Sequence, residues 1–342
     1  MSIFGRVAKK LLPDAWVPAL RETRDYAARW PTRHIFDPFA TPDRAVFLAG
    51  AGRSGTTWLA NLVNYDNRYR YLFEPLHPTY IGAVRHFNLY QYLRPGDRRA
   101  EFLEPVRRIL SGRIRDPRID KLNRRGIASR RLIKDVFANL YLGWLREAFP
   151  GVPIVMILRH PVAVADSQRK LGHYTWLQHA TALLEQPELV ADFLEPYVDE
   201  IRRVTDPFEV AIVIWALVNL VPLRQVGAGD IHVCFYEHFC ECPEQEIAGI
   251  EQFLGRRAGA AWQDGRFRAA LARPSEQARR DSAVKVGGKS VEAWMGQVTT
   301  REIDSALRLL DRFGMGGIYG AGAMPDSAGL PHRRRETPAG TL

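Results

Sequence analysis

Cysteine is scarce in this 342-residue chain: three occur, all between Cys234 and Cys242. No disulfide framework can span the chain, so the fold has to stand on an apolar core, and a reducing, cytoplasmic compartment is expected. Long hydrophobic runs are lacking too. The longest, Val210 through Leu223, is shorter than the about 20 residues a bilayer crossing needs and holds Asn219 and Pro222, so it reads as a buried helix. The first residues lack the unbroken apolar stretch of a secretory leader, because Arg6, Lys9 and Lys10 interrupt it. Phe4, Val7, Leu11 and Leu12 can share one helical face opposite those cations, which leaves open packing on the chain's own domain or peripheral contact with an anionic membrane. Acidic residues are the last shortfall: 38 Asp and Glu against 48 Lys and Arg give a net charge of +10. That balance argues for anionic ligands without choosing among nucleotide, glycan, lipid and nucleic acid. With 25% charged and 46% hydrophobic residues, the chain is ordinary globular material, and one large domain is expected.

What the chain does have is a strand, a glycine-rich turn and a helix in succession. Ala45-Val46-Phe47-Leu48-Ala49 is the strand, Gly50-Ala51-Gly52-Arg53-Ser54-Gly55 the turn, and Thr56-Thr57-Trp58-Leu59 opens the helix. Backbone N–H groups and the positive helix end then face one point, which suits a phosphate. The Gly50-x4-Gly55 frame fits a Walker loop, but Thr56-Thr57 stands where the Lys-Ser/Thr pair belongs. The cationic role therefore has to come from elsewhere, and Arg53 is the nearest candidate. Further strands read at Tyr69–Phe73, Arg131–Asp135, Val152–Leu158 and Asp230–Glu237, and helices at Pro243–Gly255 and Thr300–Phe313. Ligands in open α/β sheets sit at the carboxyl ends of the strands, so Glu74, Lys134 and Arg159 all point to one cleft. Pro161 suits a first helical position, which places Ser167 on the helix after Arg159, eight residues on.

Arg53-Ser54-Gly55-Thr56-Thr57-Trp58 resembles the 5′-phosphosulfate loop of the sulfotransferases that use 3′-phosphoadenosine-5′-phosphosulfate (PAPS), and its arginine is similar to the carbohydrate and protein-tyrosine branches. Phe73-Glu74-Pro75-Leu76 resembles the Phe-Glu-Pro segment of the carbohydrate enzymes, Lys134-Asp135 the Lys-Asp pair of the tyrosine-sulfating ones, and Arg159 through Ser167 the 3′-phosphate motif. Tyr236-Glu237 with the later Phe253-Leu254-Gly255 resembles the family's C-terminal half, and Lys285 to Lys289 followed by Trp294 the segment that closes over the nucleotide. The resemblance implies PAPS as co-substrate and no metal. Arg53, Ser54, Gly55, Thr56 and Thr57 would hold the 5′-phosphosulfate, Arg159 and Ser167 the 3′-phosphate, Trp58 and Tyr236 the adenine, with Lys285 and Lys289 closing over it. Glu74 would take the acceptor proton while Arg53 and Lys134 stabilise the transferring group; His77 and His173 are the next bases in line. The acceptor implied is a hydroxyl on a carbohydrate or glycolipid, which can be anionic.

The expected architecture is a P-loop-type α/β sandwich with a mostly parallel sheet of about five strands. Residues 1–44 are expected as an N-terminal arm, 45–320 as the catalytic domain and 321–342 as a mobile tail. Within the domain, residues 77–131 form a basic insertion: from Arg85 to Arg131 there are 14 Arg and Lys against 5 Asp and Glu. Arg107, Arg108, Arg113, Arg115, Arg118, Arg124 and Arg125 can line an acceptor groove or a solvated face. His232, Cys234, His238, Cys240 and Cys242 lack zinc-finger spacing, so no metal site is expected. Two rival readings are an ATP-dependent P-loop kinase and a non-catalytic polyanion binder; nucleic acid is not expected as a partner.

Overall fold

Five short, mostly apolar stretches set the architecture. The computed structural model describes residues 35–171, 177–227, 229–276 and 291–331. In it Ala45–Ala49 (β1), Arg70–Phe73 (β2), Arg131–Lys134 (β3), Ile154–Leu158 (β4) and His232–Phe235 (β5) form one sheet in the order β2-β3-β1-β4-β5. Every pairing is parallel, with Ala45 opposite Arg131, Phe47 opposite Ile154, Arg70 opposite Arg131 and Val155 opposite His232.

Helices cover both faces: Thr56–Val63 (α1), Ala100–Leu110 (α2), Leu142–Ala148 (α3), Pro161–Arg169 (α4), Pro207–Gln225 (α5), Tyr236–Glu241 (α6), Pro243–Phe253 (α7) and Thr300–Arg312 (α8), with further helical segments between them. Alternation along the strands sorts side chains between two cores. Phe47, Ala49, Leu72, Ile133 and Met156 pack with α2, α3, α4, α5 and α8; Val46, Leu48, Tyr71, Leu132 and Ile157 pack with α1 and α7. This is the three-layer, P-loop-type sandwich that the sequence implied.

Helix α5 is the apolar run of the sequence, extended at both ends. It starts on Asp206, whose side chain accepts from Phe208 N at 3.0 Å and Glu209 N at 3.1 Å, with Pro207 in the first turn. Among the described residues it alone is long and apolar enough to cross a membrane, yet 83% of that window is buried inside the protein. It is a core helix, as its Asn219 and Pro222 suggested.

Two arginines anchor the basic insertion to the sheet. Arg70, fully buried, donates to both Asp120 oxygens at 2.9 and 3.0 Å and to Gly112 O at 2.6 Å. Burial raises the Asp120 carboxyl's proton affinity, and the Arg70 guanidinium pulls it back down. Arg131, also fully buried, pairs with Asp37 and donates to Leu110 O at 2.7 Å. Gly112 has φ +67°, and a Cβ there would lie 2.7 Å from Arg131 Cδ, so only glycine fits between the two guanidinium groups.

The strand expected to run through Tyr236 and Glu237 ends at Phe235. The ladder stops at Leu158 opposite Phe235, because β4 then turns away toward α4, and Tyr236 starts α6. The ordered chain also runs past residue 320: Tyr319 bridges Pro325, Asp326 N donates to Ile318 O at 2.8 Å, and Gly329 lies against Gly317. Residues 1–34 and 332–342, with most of the expected arm and half of the expected tail, lie outside the described residues, as do His173, Lys285 and Lys289.

Candidate active site

The chain leaving β1 goes to β2 on one side of the sheet, and the chain leaving β4 goes to β5 on the other. Neighbouring strands whose connections diverge open a crevice at their carboxyl ends, where ligands bind in such sheets. The loop 50–55 and Arg159 both lie at that crevice.

The loop is shaped by close approach. A Cβ on Gly50 would sit 2.6 Å from Ile157 O on β4, and one on Gly55, which has φ +92°, would sit 2.7 Å from the Tyr236 ring. Gly55 caps α1 without a side chain, so the first-turn N–H groups of Thr56 and Thr57 have no side-chain acceptor from the cap. Arg53 adopts φ +75°, a left-handed conformation that costs a non-glycine residue about 1–3 kcal/mol and that surrounding structure must enforce. Ser54 Oγ is buried with no hydrogen-bond partner among the described residues. A narrow loop that ends at an uncapped helix start, with an orphaned buried hydroxyl beside it, fits a phosphate or sulfate group.

A polar chain from the core fixes where the loop begins. Gly50 N donates to Asn139 Oδ1 at 3.2 Å, Asn139 Nδ2 to Asn219 Oδ1 at 3.2 Å, and Asn219 Nδ2 to Trp215 O at 2.8 Å. Sequence reasoning missed Asn139; Asn219 was the available signal, as the amide interrupting an apolar run.

Arg53, Arg159 and Ser167 meet. Arg53 Nε donates to Ser167 Oγ at 3.1 Å, and Arg159 Nη1 donates to Arg53 O at 3.0 Å. The Arg159 guanidinium also lies 4.3 Å from the Tyr236 ring centroid. Burial pushes the Tyr236 hydroxyl up to about 12, so it stays protonated. Trp58 packs 5.4 Å from Tyr236 and 6.0 Å from Phe239 as part of the core beneath the loop.

A second group gathers two strands away. Lys134 Nζ, nearly buried, is paired with Glu74 Oε1, and Glu74 N donates to Lys134 O at 2.7 Å. Glu74 has φ +47°, again left-handed. Asp135 holds the turn that follows: its carboxylate accepts from Leu76 N and Phe137 N, both at 2.8 Å. Full burial pushes that carboxyl up to about 7 against those two donors. His77 lies between the rings of Tyr80 and Phe137, at 4.3 and 4.5 Å, and burial lowers its proton affinity. The contacts described for the Arg53 side chain place it with Ser167; the cation beside Glu74 is Lys134.

A third cluster ties the C-terminal segment to the end of β4. His160 accepts from Val162 N on Nδ1 at 3.3 Å, donates from Nε2 to Gly320 O at 3.1 Å, and stacks on Trp294 at 4.4 Å. Glu237 accepts from His160 N at 2.9 Å and from the Tyr319 hydroxyl at 3.1 Å. Burial, helped by the Arg159 charge, lowers His160 to about 4. A histidine depressed in the folded state binds fewer protons there than when unfolded, so its stabilising share is lost as pH falls from about 6.5 to 4. Glu246, raised by burial to about 7, and Asp135 contribute with the opposite sign. The difference between wild type and His160→Gln isolates the effect. Denaturant unfolding at stepped pH should show the wild type losing up to about 1.4 kcal/mol per pH unit more than the variant across that window. Parallel curves would show that His160 isn't held neutral.

Among the described residues no three His, Cys, Asp or Glu side chains converge as metal ligands.

Loop, crevice and strand-end cations define a protein of the P-loop α/β class, with a cradle that suits an anionic group at the carboxyl ends of its strands. The chain belongs to the sulfotransferase family, whose sequence profile matches residues 45–260. It is 26% identical over 275 residues to nodulation protein NoeE of Sinorhizobium fredii, a match covering 77% of this chain and 63% of that protein's length. Among solved structures, it is similar to the sulfotransferase domain from the curacin biosynthetic pathway, at 16% identity and TM-score 0.41, over 81% of this chain and 98% of that one. It is also similar to a mouse sulfotransferase complexed with PAP (3′-phosphoadenosine 5′-phosphate), at 13% identity and TM-score 0.38, over 86% and 90% of the two chains.

Proposed function

We propose that this protein transfers a sulfuryl group from PAPS to an acceptor hydroxyl on a carbohydrate or glycolipid, without a metal. The observation that carries the reading is the meeting of Arg53, Arg159 and Ser167 beside the loop, a charged and neutral donor set suited to a second phosphate next to the one the loop cradles. The backbone of residues 53–57 and Ser54 Oγ would hold the 5′-phosphosulfate, and Arg159 and Ser167 the 3′-phosphate. Tyr236, under the Arg159 guanidinium, would border the adenine, with Trp58 packed against it.

Glu74 accepts the acceptor's hydroxyl proton as the new O–S bond forms. The bond from sulfur to the 5′-phosphate oxygen breaks, and that oxygen leaves with the electron pair as part of PAP. Lys134 offsets the charge developing on the transferring group, which is the main service such a transfer needs. The scarcity of cysteine suits a cytoplasmic setting.

Thermal shifts with three probes test the reading. PAP should raise the melting temperature with chelator present, whereas ATP with Mg²⁺ and heparin should do less at equal concentration. A larger shift with ATP and Mg²⁺ would favour a kinase, and a larger one with heparin a polyanion binder.

A further inference from the structure

Arg159 sits on a two-residue link, Arg159-His160, between the end of β4 and the start of α4. Its guanidinium is met by the Arg53 carbonyl at 3.0 Å and the Tyr236 ring at 4.3 Å. The backbone from which that side chain springs is fixed through the next residue. His160 N donates to Glu237 Oε1 at 2.9 Å, and the imidazole donates to Gly320 O at 3.1 Å and stacks on Trp294 at 4.4 Å, 24° from parallel.

Glu237 is the hub of this cluster. Its side chain holds the residue after Arg159, and it follows Tyr236, the ring under the Arg159 guanidinium. Its other oxygen accepts from the Tyr319 hydroxyl at 3.1 Å. Burial, helped by the Glu237 charge, keeps the proton on that phenol, so Tyr319 is the donor of the pair. His160, Glu237 and Tyr319 are all buried, where a lost hydrogen bond is not replaced by water. The Tyr319 ring is itself packed 4.9 Å from His160, 5.9 Å from Trp215 and 6.2 Å from Phe235. Trp294, Tyr319 and Gly320 come from the C-terminal segment, Gly320 lying 160 residues beyond His160. A guanidinium fork recognises an oxyanion by direction as well as charge, so a displacement of about 1 Å at its base weakens it.

We propose that Glu237 and Tyr319 are positioning residues for the donor: acting through His160, they aim Arg159, so that the C-terminal segment sets the preference for a nucleotide carrying a 3′-phosphate. The proposal rests on the sulfotransferase reading for the ligand that Arg159 meets.

Calorimetric titrations with PAP and adenosine 5′-phosphate give the ratio of the two affinities, which a mere loss of folded protein does not move. Tyr319→Phe keeps the ring and removes only the donor to Glu237. It should weaken PAP about 3- to 10-fold, the worth of one hydrogen bond, and leave adenosine 5′-phosphate unchanged. Trp294→Phe, which shrinks the stack on His160, should shift the ratio in the same direction, and it carries the test if Tyr319→Phe does not fold. In an Arg159→Ala background Tyr319→Phe should have no further effect on PAP, because both changes act on one guanidinium. Arg312 belongs to the same segment but pairs with Glu200 at the surface at 2.8 Å, and Arg312→Ala should leave the ratio intact. A wild-type ratio in both aromatic variants, an equal loss of both nucleotides, or an undiminished effect in the Arg159→Ala background overturns the positioning role. Equal binding of the two nucleotides by the wild type strikes the donor reading itself, and the proposal with it.

Discussion

Glu74→Gln is expected to slow sulfuryl transfer by about 10²–10⁴-fold while PAP affinity stays nearly unchanged, because general-base help is worth that much and the amide keeps the carboxylate's shape. The position suits the proposed task. The backbone of Glu74 is held at φ +47° by its N–H bond to Lys134 O, and its side chain is 19% exposed. In the proposed mechanism its ion pair with Lys134 would couple base and cation, the carboxylate accepting the proton where Lys134 engages the transferring group. Single-turnover rates at saturating PAPS, with a separate PAP titration, check both halves. Near-normal turnover would pass the role to another group, with His77 nearest along the turn. Loss of PAP affinity would mean that Glu74 organises the loop, and its place in the chemistry would have to be withdrawn.

What the sequence made legible is what local pattern encodes. The turn after β1, the residues ending β2, β3 and β4, and the core character of α5 all follow from apolar runs and punctuation that survive into the structure. The parts that escaped are contacts between distant segments. Asp135 bonding to Leu76 N, Asn139 bridging Gly50 and Asn219, and Glu237 joining His160 to Tyr319 each depend on which strand ends become neighbours, and periodicity carries no such information. Arg53 shows the same limit. Its place in the loop was readable, but not that its side chain bonds Ser167 on α4, nor that Lys134 pairs with Glu74. In the basic stretch, identical residue types hid opposite fates, from the fully buried Arg131 to the exposed Arg118.

The 3′-phosphate is the feature that separates PAPS from other adenine nucleotides, so the central claim is tested most directly by calorimetry of PAP against adenosine 5′-phosphate. Arg159 and Ser167 are both joined to Arg53, Arg159 through Arg53 O and Ser167 through Arg53 Nε, and in the proposed site they would lose their ligand if that phosphate were missing. Each charged hydrogen bond lost is worth about 1.5–3 kcal/mol, so PAP should bind about 10- to 150-fold tighter. Arg159→Ala should erase most of the difference by weakening PAP and leaving adenosine 5′-phosphate nearly as it was. Equal affinity of the two nucleotides for the wild type would contradict the assignment of this crevice to PAPS.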